Sequence, residues 1–345
     1  MKLLSPLGWL YGLGATARNA LYDRGLFRVH DLGTKTISIG NITAGGTGKT
    51  PLVAAVANIL VANGETVCVL TRGYGRKDPS ERILVSDGEN VLADAVTGGD
   101  EPVELARTLS GKAAIVADRD RVAAAAWTRE KFGITAFVLD DGFQHRRAGR
   151  DLDIVCIDAT DPFGGGEVLP AGTLREPVQN LTRAGAIVIT RANLAKSTDD
   201  LTAQIRKLNT SAPIFTATSK VCGVSKLVDF LNRTHTLEPV EDLQPIANGF
   251  LFCGLGNPES FRRQLVSENF QFAGVRTFPD HHAYTQSDMQ SVQAEAKNIG
   301  ATSLITTGKD AVKLTGIEFT MPCFVVTSAV EIVDGKAFAQ LVTSI

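Results

Sequence analysis

Short apolar runs rich in β-branched residues alternate with longer amphipathic stretches along most of this chain. The alternation predicts an α/β fold in which a mostly parallel sheet is flanked by helices on both faces. The clearest helices are Pro51–Asn63 and Asp120–Phe132, and Ile83–Leu92 is predicted to form a hairpin around an Asp-Gly turn. The strands predicted in the first half are Thr36–Gly40, Val67–Thr71, Ala113–Ala117, Ala136–Asp140, Ile154–Asp158 and Ala186–Thr190.

The alternation restarts after an amphipathic stretch at Asp199–Asn209. Four further apolar runs follow, PIFTAT, GFLFCG, SLITT and CFVVTS, with predicted helices at Pro258–Val266 and Gln286–Asn298. A chain of 345 residues has enough material for about two domains. We therefore expect a domain boundary near Pro213.

The first 35 residues differ from the alternating pattern that follows. Their apolar run is too short and too often interrupted to span a membrane. Three interpretations remain open for this segment: a helix packed on the core, a helix on a membrane surface, and a cleaved signal peptide ending near Ala15, Thr16 and Ala17. A helix would place on one stripe Leu3, Leu7, Leu10, Tyr11, Gly14, Ala17 and Leu21. The basic residues Lys2, Arg18, Arg24, Arg28 and Lys35 outnumber Asp23 and Asp31, a bias that favours anionic lipid.

The charge balance disfavours one class of function. Lysine and arginine number 35 against 37 acidic residues, so the formal charge of −2 argues against a dedicated nucleic-acid binder. An odd number of cysteines without a CxxC pair argues against a disulfide framework or a structural zinc site. The five cysteines are predicted to be reduced residues of the core, in a protein of a reducing compartment: Cys68, Cys156, Cys222, Cys253 and Cys323.

The sharpest local motif is ISIGNITAGGTGKTPLVAAVANIL, in which a β-branched strand leads through a glycine-rich turn into a helix. This context predicts a phosphate-binding loop for ATP with Mg²⁺. Lys49 is expected to reach the β and γ phosphates, and the Thr50 hydroxyl to ligate magnesium. Thr43 occupies a position where the common pattern has glycine. The predicted nucleotide-binding residues are Thr43, Ala44, Gly45, Gly46, Thr47, Gly48, Lys49 and Thr50.

Further polar clusters follow other predicted strands. ITAFVLDDGFQH places Asp140 and Asp141 at the edge where open α/β sheets hold ligands, so either carboxylate is a candidate for Mg²⁺. Arg72, Arg76 and Arg119 lie in predicted loops and are candidates for neutralising phosphate. Each of these clusters is weak evidence alone, and together they indicate phosphoryl-transfer chemistry.

Two kinds of residue are candidates for acid–base chemistry. Asp100 in TGGDEP is a candidate base for a hydroxyl proton, and the alternative is that it caps the helix beginning near Pro102. His281 and His282 in FPDHHAY resemble a metal site, but no third or fourth ligand lies at zinc spacing. A histidine that supports a carboxylate base is the favoured interpretation.

Seven motifs then resemble a known family when read in order: GNITAGGTGKTP, TRGYGR, GGDEP, DDGFQH, LPAGTLREP, FPDHH and KDAVKL. Together they closely resemble the tetraacyldisaccharide 4'-kinases of the lipid A pathway, whose phosphate loop is similarly atypical at its first position. The resemblance implies transfer of the ATP γ-phosphoryl group to the 4'-hydroxyl of a tetraacylated glucosamine disaccharide 1-phosphate. The product would be lipid IVA, made at the cytoplasmic face of the inner membrane by a peripheral enzyme.

The resemblance also implies residue roles. Asp100 would act as the base with His281 as its partner, and His282 stays an alternative. In TTGKDAVKL, Gly308 precedes Lys309 and Asp310 at a position where many members of the family carry an acidic residue, so Lys309 and Asp310 receive no direct role. The implied catalytic set is Asp100, His281, Lys49 and Arg119, and the implied magnesium set is Thr50, Asp140, Asp141 and Glu176.

The domain organisation implied by the resemblance has four parts. Residues 1–35 form a membrane-surface helix region, 36–213 a P-loop NTPase-type kinase core, 214–333 a smaller α/β domain with linker strands, and 334–345 a helix returning to the core. The strands linking the domains would be PIFTATSKVCG and FVVTSAVEIV, with the active site in the cleft. The expected partners are the lipid substrate and the membrane surface, with no nucleic acid and no protein partner.

Two alternative functions are kept. The first is a membrane-associated ATPase switch that dimerises, although such switches carry a lysine where this chain has Ala44. The second is a P-loop kinase that acts on a soluble small molecule.

Overall fold

The fold is described by a computed structural model that covers residues 4–232 and 246–345. Leu3 of the predicted N-terminal stripe and the basic residue Lys2 lie outside these residues. The helices are α1 Ser5–Asp23, α2 Lys49–Ala62, α3 Ala95–Gly98, α4 Asp100–Thr108, α5 Arg121–Phe132, α6 Asp199–Leu208, α7 Leu227–Asn232, α8 Pro258–Ser267, α9 Gln286–Asn298, α10 Gly308–Ala311 and α11 Gly335–Thr343. The strands are β1 Lys35–Asn41, β2 Val67–Thr71, β3 Ile83–Ser86, β4 Ala113–Ala117, β5 Ala136–Asp140, β6 Leu152–Asp158, β7 Ala186–Thr190, β8 Ile214–Lys226, β9 Gly249–Cys253, β10 Phe272–Thr277, β11 Ser303–Thr307 and β12 Cys323–Ile332.

The described strands form one sheet of twelve strands in the order β10-β9-β11-β12-β8-β7-β6-β1-β5-β2-β4-β3. Neighbouring strands run parallel except for the pairs β3 with β4 and β8 with β12. Helices cover both faces. The predicted α/β class, with a mostly parallel sheet of the P-loop NTPase type, is therefore confirmed.

Burial on both faces explains why the strands are almost continuously apolar. In β2, Val67 and Val69 belong to the apolar cluster that includes α2 and α4, whereas Cys68 and Leu70 belong to the cluster that includes α5. Successive side chains of a strand point to opposite faces, so each face of a doubly covered sheet needs its own apolar set.

The middle strand β8 joins the two halves of the sheet. Its first residues pair in parallel with β7, as in Ile187 with Ile214. From Ala217 onwards it pairs in antiparallel with β12, whose Ile332 lies opposite Ala217. Both segments that the sequence suggested as linking strands therefore lie side by side.

The last helix packs against the first half of the sheet. The Phe338 side chain of α11 is fully buried, and its ring meets that of Phe215 in β8 edge-on with centroids 5.1 Å apart. Phe338 and Val342 share an apolar cluster with Val56 and Leu60 of α2. The end of the chain thus supports the helix that begins at the phosphate loop.

Three sequence predictions differ from the structure. The predicted hairpin is formed in part: Leu92 N donates to Val85 O at 2.7 Å and an antiparallel bridge joins Ser86 with Val91. Only its first arm, Ile83–Ser86, is a strand, and that strand also pairs with β4. The edge strand β10 was not predicted, because its residues are partly exposed and its pattern is weak. Cys222 is exposed, whereas the other four cysteines are buried as predicted.

The N-terminal helix α1 packs through its small side chains. Gly8, Gly12 and Asn19 are buried against the protein. Its large apolar side chains are exposed: Leu7, Trp9, Leu10, Tyr11 and Leu13. The helix therefore combines features of two of the predicted interpretations, packing on the globule and an apolar outer face. Among the described residues, no helix is both long and apolar enough to cross a bilayer.

Candidate active site

The glycine-rich loop between β1 and α2 has the backbone that its sequence predicts. Gly45 and Gly48 have φ values of 111° and 77°, in the left-handed region where glycine is favoured. Helix α2 begins at Lys49, two residues before the predicted start, with Gly48 as its N-cap. Within the described residues, no backbone carbonyl accepts from the amides of Gly45, Gly46 or Thr47. These amides are the donors that a phosphate-binding nest requires.

Side chains from neighbouring strands hold the carbonyl groups of this loop. Thr190 Oγ1 donates to Thr47 O at 2.8 Å, and Arg191 Nη1 donates to Gly46 O at 2.8 Å. Asn41 Nδ2 donates to Thr43 O at 2.7 Å. Since the carbonyls are engaged from outside, the amide side of the loop is left for a ligand.

Lys49 lies between two groups at the carboxyl ends of β1 and β5. Its Nζ donates to Asn41 Oδ1 at 3.1 Å and lies 3.5 Å from Asp141 Oδ1. Arg175 Nη1 donates to both oxygens of Asp141, at 2.8 and 2.7 Å. Burial acts to raise the pKa of Asp141, but the charges of Lys49 and Arg175 outweigh it and lower the pKa to about 2.

Asp140, the preceding residue, has a different environment. It is 4% exposed and accepts a hydrogen bond from Thr71 Oγ1 at 3.0 Å. Burial raises the pKa of Asp140 to about 6, and the charges of Glu101 and Asp141 add to the effect. A buried carboxyl whose pKa stays raised despite the charge of Lys49 suits a site where a cation binds.

Asp100 and His281 meet although they are 181 residues apart in the chain. Asp100 begins α4 and is 5% exposed, and its Oδ2 lies 2.9 Å from His281 Nδ1. Burial acts to raise the pKa of Asp100, but the hydrogen bond from His281 and the charge of Lys309 lower it overall. The hydrogen bond to Asp100 raises the pKa of His281. The pair is therefore mutually stabilised in its ionised form.

The structure distinguishes between the two adjacent histidines. His282 Nε2 lies 3.2 Å from Asp288 Oδ2 and its ring stacks on Phe278, so it belongs to the start of α9. His281 alone contacts Asp100, and its ring stacks on Tyr74 with centroids 6.1 Å apart.

The second half of the chain approaches the phosphate loop near this pair. A Cβ placed on Gly256 would lie 3.0 Å from Asp280 Oδ2 and 3.2 Å from Gly46 N. The segment that carries Asp280 and His281 is thus close to the loop. A side chain on Gly256 would fill the space between them.

A cavity of about 790 Å³ opens beside the loop and α1. Five arginines line it, which makes it strongly cationic: Arg18, Arg72, Arg119, Arg121 and Arg175. Ala44 and Asp141 place one side of the cavity at the phosphate loop, and Tyr74 places another side next to His281. Arg119 is exposed and lines this cavity, whereas Asp100 is buried and does not line it. The structure therefore places these two predicted catalytic residues in different surroundings.

Glu176 is far less available than the sequence suggested. Its carboxylate is fully buried and accepts from Asn19, Gln144, Asn180 and Arg183 at 2.6–2.9 Å. Three of these bonds are made to Oε2 and one, from Gln144, to Oε1, so most of the acceptor positions of the carboxylate are occupied by protein donors. Glu176 is better placed to anchor α1, through Asn19, than to bind magnesium.

Arg76 was a sequence candidate for neutralising phosphate, and His145 is the last residue of the DDGFQH motif. Arg76 is buried, and its guanidinium donates to the carbonyls of Pro79, Glu81 and Ala117, so it holds a loop and does not face a phosphate. Burial and the nearby charges of Arg121 and Arg150 lower the pKa of His145 to about 4, so its ring is neutral near pH 7.

Comparisons with known proteins agree over the whole chain. The family model described as tetraacyldisaccharide-1-P 4'-kinase matches residues 1–345. A tetraacyldisaccharide 4'-kinase of Geobacter metallireducens is 39% identical over 319 residues, covering 91% of this chain and 88% of the relative. One of Syntrophus aciditrophicus is 36% identical over 351 residues, covering 99% and 91%. The chain belongs to the tetraacyldisaccharide 4'-kinase family.

A solved structure gives the same result for the fold. The crystal structure of LpxK from Aquifex aeolicus, described as an "apo" form in complex with ATP, superposes with a TM-score of 0.79 at 30% identity. The match covers 99% of this chain and 98% of the Aquifex chain. The predicted family membership is confirmed.

Sequence reasoning missed several residues that shape this member of the family. Asn41 ends a strand and was overlooked, although a polar residue before a phosphate loop is a usable signal. Arg175 appeared only as a letter of the LPAGTLREP motif, and its pairing with Asp141 depends on the fold. Lys309 received no role, yet its Nζ lies 2.9 Å from Glu101 Oε1 and 3.0 Å from Asp280 Oδ1.

Proposed function

We propose that this protein transfers the γ-phosphoryl group of ATP to the 4'-hydroxyl of tetraacyldisaccharide 1-phosphate and forms lipid IVA. The observation that carries the proposal is the contact between Asp100 and His281, which lies beside a cationic cavity that also reaches the phosphate loop. Family membership supports the same substrate and reaction.

The loop residues and Lys49 would hold the phosphates of ATP. The amides of Gly45, Gly46 and Thr47 suit phosphate oxygens, and Lys49 supplies an ammonium group at the end of the loop. Lys49 contacts Asn41 and Asp141 and would exchange part of these contacts for phosphate. The protein therefore contributes positioning and charge compensation, the main terms in phosphoryl transfer.

The residues present fit a magnesium ion. Asp140 has the less compensated of the two buried carboxyls, and we assign it the metal in preference to Asp141, which Arg175 and Lys49 already neutralise. Thr50 is the second protein ligand proposed. Among the described residues, no three acidic, histidine or cysteine side chains converge on a metal position, so the remaining ligands would be phosphate and water. Bound there, the ion would neutralise charge on the transferring phosphoryl group.

Asp100 is proposed to accept the proton of the 4'-hydroxyl as that oxygen bonds to the γ phosphorus. The bond from this phosphorus to the bridging oxygen of ADP breaks, and ADP leaves with the electron pair. The proton then passes from the Asp100–His281 pair to solvent. Since the pKa of Asp100 is lowered, the carboxylate is ionised near pH 7 and ready to accept.

The cationic cavity is proposed to take the phosphorylated sugar. Arg18, Arg72 and Arg119 supply charges for a phosphate group, and Tyr74 connects the cavity to His281. The acyl chains would extend toward the exposed apolar face of α1. The lipid acceptor is favoured over a soluble one because that face borders the same cavity through Tyr11 and Arg18.

Peripheral binding at the cytoplasmic face of the inner membrane is proposed on the same ground. Trp9 is 69% exposed and Leu13 is 46% exposed, so neither contributes much to folding. Trp9→Ser with Leu13→Ser should weaken binding to anionic vesicles by at least about tenfold, since each buried side chain contributes about 1.5–3 kcal/mol. The control is Val333→Ser, which alters a side chain that is 73% exposed and far along the chain. Equal vesicle binding by all three proteins would refute the interfacial role of α1.

Four structural parts are proposed as domains. These are residues 1–35, 36–213, 214–333 and 334–345, and the antiparallel pair of β8 with β12 supports the placement of the linkers.

The function is tested with purified protein, Mg-ATP and the acylated disaccharide, by following radiolabelled phosphate into the lipid. Asp100→Asn should lower kcat by about 10²–10⁴-fold and leave the Kd for ATP nearly unchanged, because only proton transfer is lost. Asp78→Asn, at an exposed aspartate, is the matched control. ATP hydrolysis that accompanies dimerisation, with no labelled lipid, would favour the switch instead.

A further inference from the structure

Two buried lysines near α10 have no part in the mechanism above. Lys309 and Lys313 belong to the KDAVKL motif, and their side chains are 11% and 9% exposed. Burying an ammonium group costs free energy that good pairing only partly offsets, and apolar side chains would often serve stability equally well. Their position therefore calls for a role beyond stability.

Lys309 joins the two segments that carry the Asp100–His281 pair. Its Nζ lies 2.9 Å from Oε1 of Glu101, the residue after Asp100, and 3.0 Å from Oδ1 of Asp280, the residue before His281. Burial acts to lower the pKa of Lys309, but the charges of Glu101, Asp100 and Asp280 outweigh it, so the pKa is raised and the lysine stays charged.

The His281 backbone needs such support. Its φ of 60° lies in the left-handed region, which costs a residue with a Cβ about 1 kcal/mol or more. The His281 amide donates to Asp280 Oδ1 at 3.0 Å, and that oxygen is the one contacted by Lys309. A chain of contacts thus runs from Lys309 through Asp280 to His281 and Asp100.

Lys313 supports Asp100 from the other side. Its Nζ lies 3.0 Å from Asp310 Oδ1 and 3.8 Å from Asp100 Oδ2. Asp310 is itself fully buried and accepts from Gly254, Tyr284 and Thr307, so the anchor of Lys313 is rigid.

We propose that Lys309 is a positioning residue, which holds Asp280 against Glu101 so that His281 meets Asp100 across the two halves of the molecule. The proposal rests on the proposed function, because the pair it positions is the one assigned to proton transfer. Without Lys309, the loop carrying His281 would relax toward an ordinary backbone conformation and the pair would separate.

Substitution of Lys309 could act on the pKa of His281 in two ways that have opposite signs. It could separate His281 from Asp100, or it could only remove the positive charge of Lys309. Loss of the hydrogen bond to Asp100 would lower the pKa of His281, since that bond is the main cause of its raised value. Loss of the Lys309 charge with the pair intact would raise it. The groups that face His281 are Asp100 from α4, Lys309 from α10, Asp280 from its own loop and the ring of Tyr74.

The test compares Lys309→Met with Lys297→Met, an exposed lysine of α9. NMR of histidine labelled in the imidazole ring, assigned with His281→Gln, gives the pKa of His281 without any catalysis. We expect it to fall by about half a pH unit or more in Lys309→Met and to stay unchanged in Lys297→Met. With lipid acceptor, kcat should fall about 10–100-fold while the KM for ATP changes less than about twofold. Lys309→Arg, which keeps the charge, should restore part of both.

An unchanged or raised pKa of His281 in Lys309→Met would overturn the proposal, as would an unchanged kcat with only a lower Tm. If Lys309→Met does not fold, Lys309→Gln keeps a polar side chain and is judged by the same two results. A wild-type protein that transfers no phosphate would refute the proposed function, and the NMR titration would still decide whether Lys309 positions His281.

Discussion

Charge compensation separates two neighbouring carboxylates at the nucleotide site. Asp140 and Asp141 share one strand end, yet their pKa values are about 6 and about 2. The difference arises because Lys49 and Arg175 both form ion pairs with Asp141. The carboxyl of Asp140 is buried and accepts a hydrogen bond from the neutral side chain of Thr71. The sequence predicted both carboxylates as candidates but could not divide their roles, since Arg175 comes 34 residues later.

Histidine 145 gives a prediction about stability. Burial and nearby arginines lower the pKa of His145 to about 4, whereas an unfolded histidine has a pKa of about 6.5. Between these pH values the unfolded chain binds a proton at His145 that the folded chain does not. The contribution of His145 to the free energy of unfolding is therefore fully present above pH 6.5 and is lost as the pH falls toward 4. Wild-type protein should lose about 2–3 kcal/mol more than His145→Gln between pH 7 and pH 4 in urea unfolding. His30→Gln is the control, and identical pH dependence in all three proteins would contradict the prediction.

The choice between His281 and His282 shows a limit of the same kind. The motif places two adjacent histidines after an aspartate, and successive residues point in different directions. Only the left-handed backbone of His281 and the stacking of His282 on Phe278 decide which ring reaches Asp100. Neither the backbone conformation of His281 nor the stacking of His282 can be predicted from the neighbouring residues in the sequence.

At the scale of elements, buried strands were predicted with correct ends because both of their faces are apolar. Val67–Thr71, Ala113–Ala117, Ala136–Asp140 and Ala186–Thr190 match the structure. Where an edge is exposed, the pattern is weaker: β10 was not predicted, and only the first arm of the predicted hairpin at Ile83–Leu92 is a strand, although its turn is formed. The pairing of β3 with β4 is a tertiary contact that is made in addition to the local turn, and the local pattern does not indicate it.

Helix α1 offers a matched pair of glycines for testing how it packs. A Cβ on Gly8 would lie 2.8 Å from Val168 O and 3.0 Å from Ala171 Cβ, whereas a Cβ on Gly14 has no neighbour within 4 Å. Gly8→Ala should displace the helix and speed its cleavage in limited proteolysis. Gly14→Ala should leave the packing intact and stabilise the helix by up to about 1 kcal/mol. Equal cleavage rates in the two variants would show that α1 does not pack through Gly8.

At the scale of the whole molecule, long-range contacts assemble the site. Asp100 meets a histidine 181 residues away, and Lys309 meets a glutamate 208 residues away. Motif order alone predicted which segments matter, through the resemblance to a family. It could not predict that α10 joins them, because the KDAVKL motif has no local pattern that indicates a partner.

A substitution in the last helix can test whether the strand in the middle of the sheet and the nucleotide site depend on one core. Phe338 is fully buried and meets Phe215 in β8, the strand that joins both halves, while its cluster includes residues of α2 next to the phosphate loop. Phe338→Ala should cost about 3–5 kcal/mol of the free energy of unfolding, through lost burial and the cavity left behind.

Phe338→Ala should also weaken ATP binding, although Phe338 itself lies in the last helix and not in the loop. The reason is that Phe338 packs in the same apolar cluster as α2, and α2 begins at Lys49 of the phosphate loop. Urea unfolding with and without Mg-ATP measures both effects, and Lys336→Ala, at an exposed position of the same helix, is the control. A variant that unfolds earlier but gains the same stabilisation from Mg-ATP as wild type would show that α11 supports the core without supporting the nucleotide site. A smaller gain is expected, since stabilisation by a ligand decreases as its Kd rises.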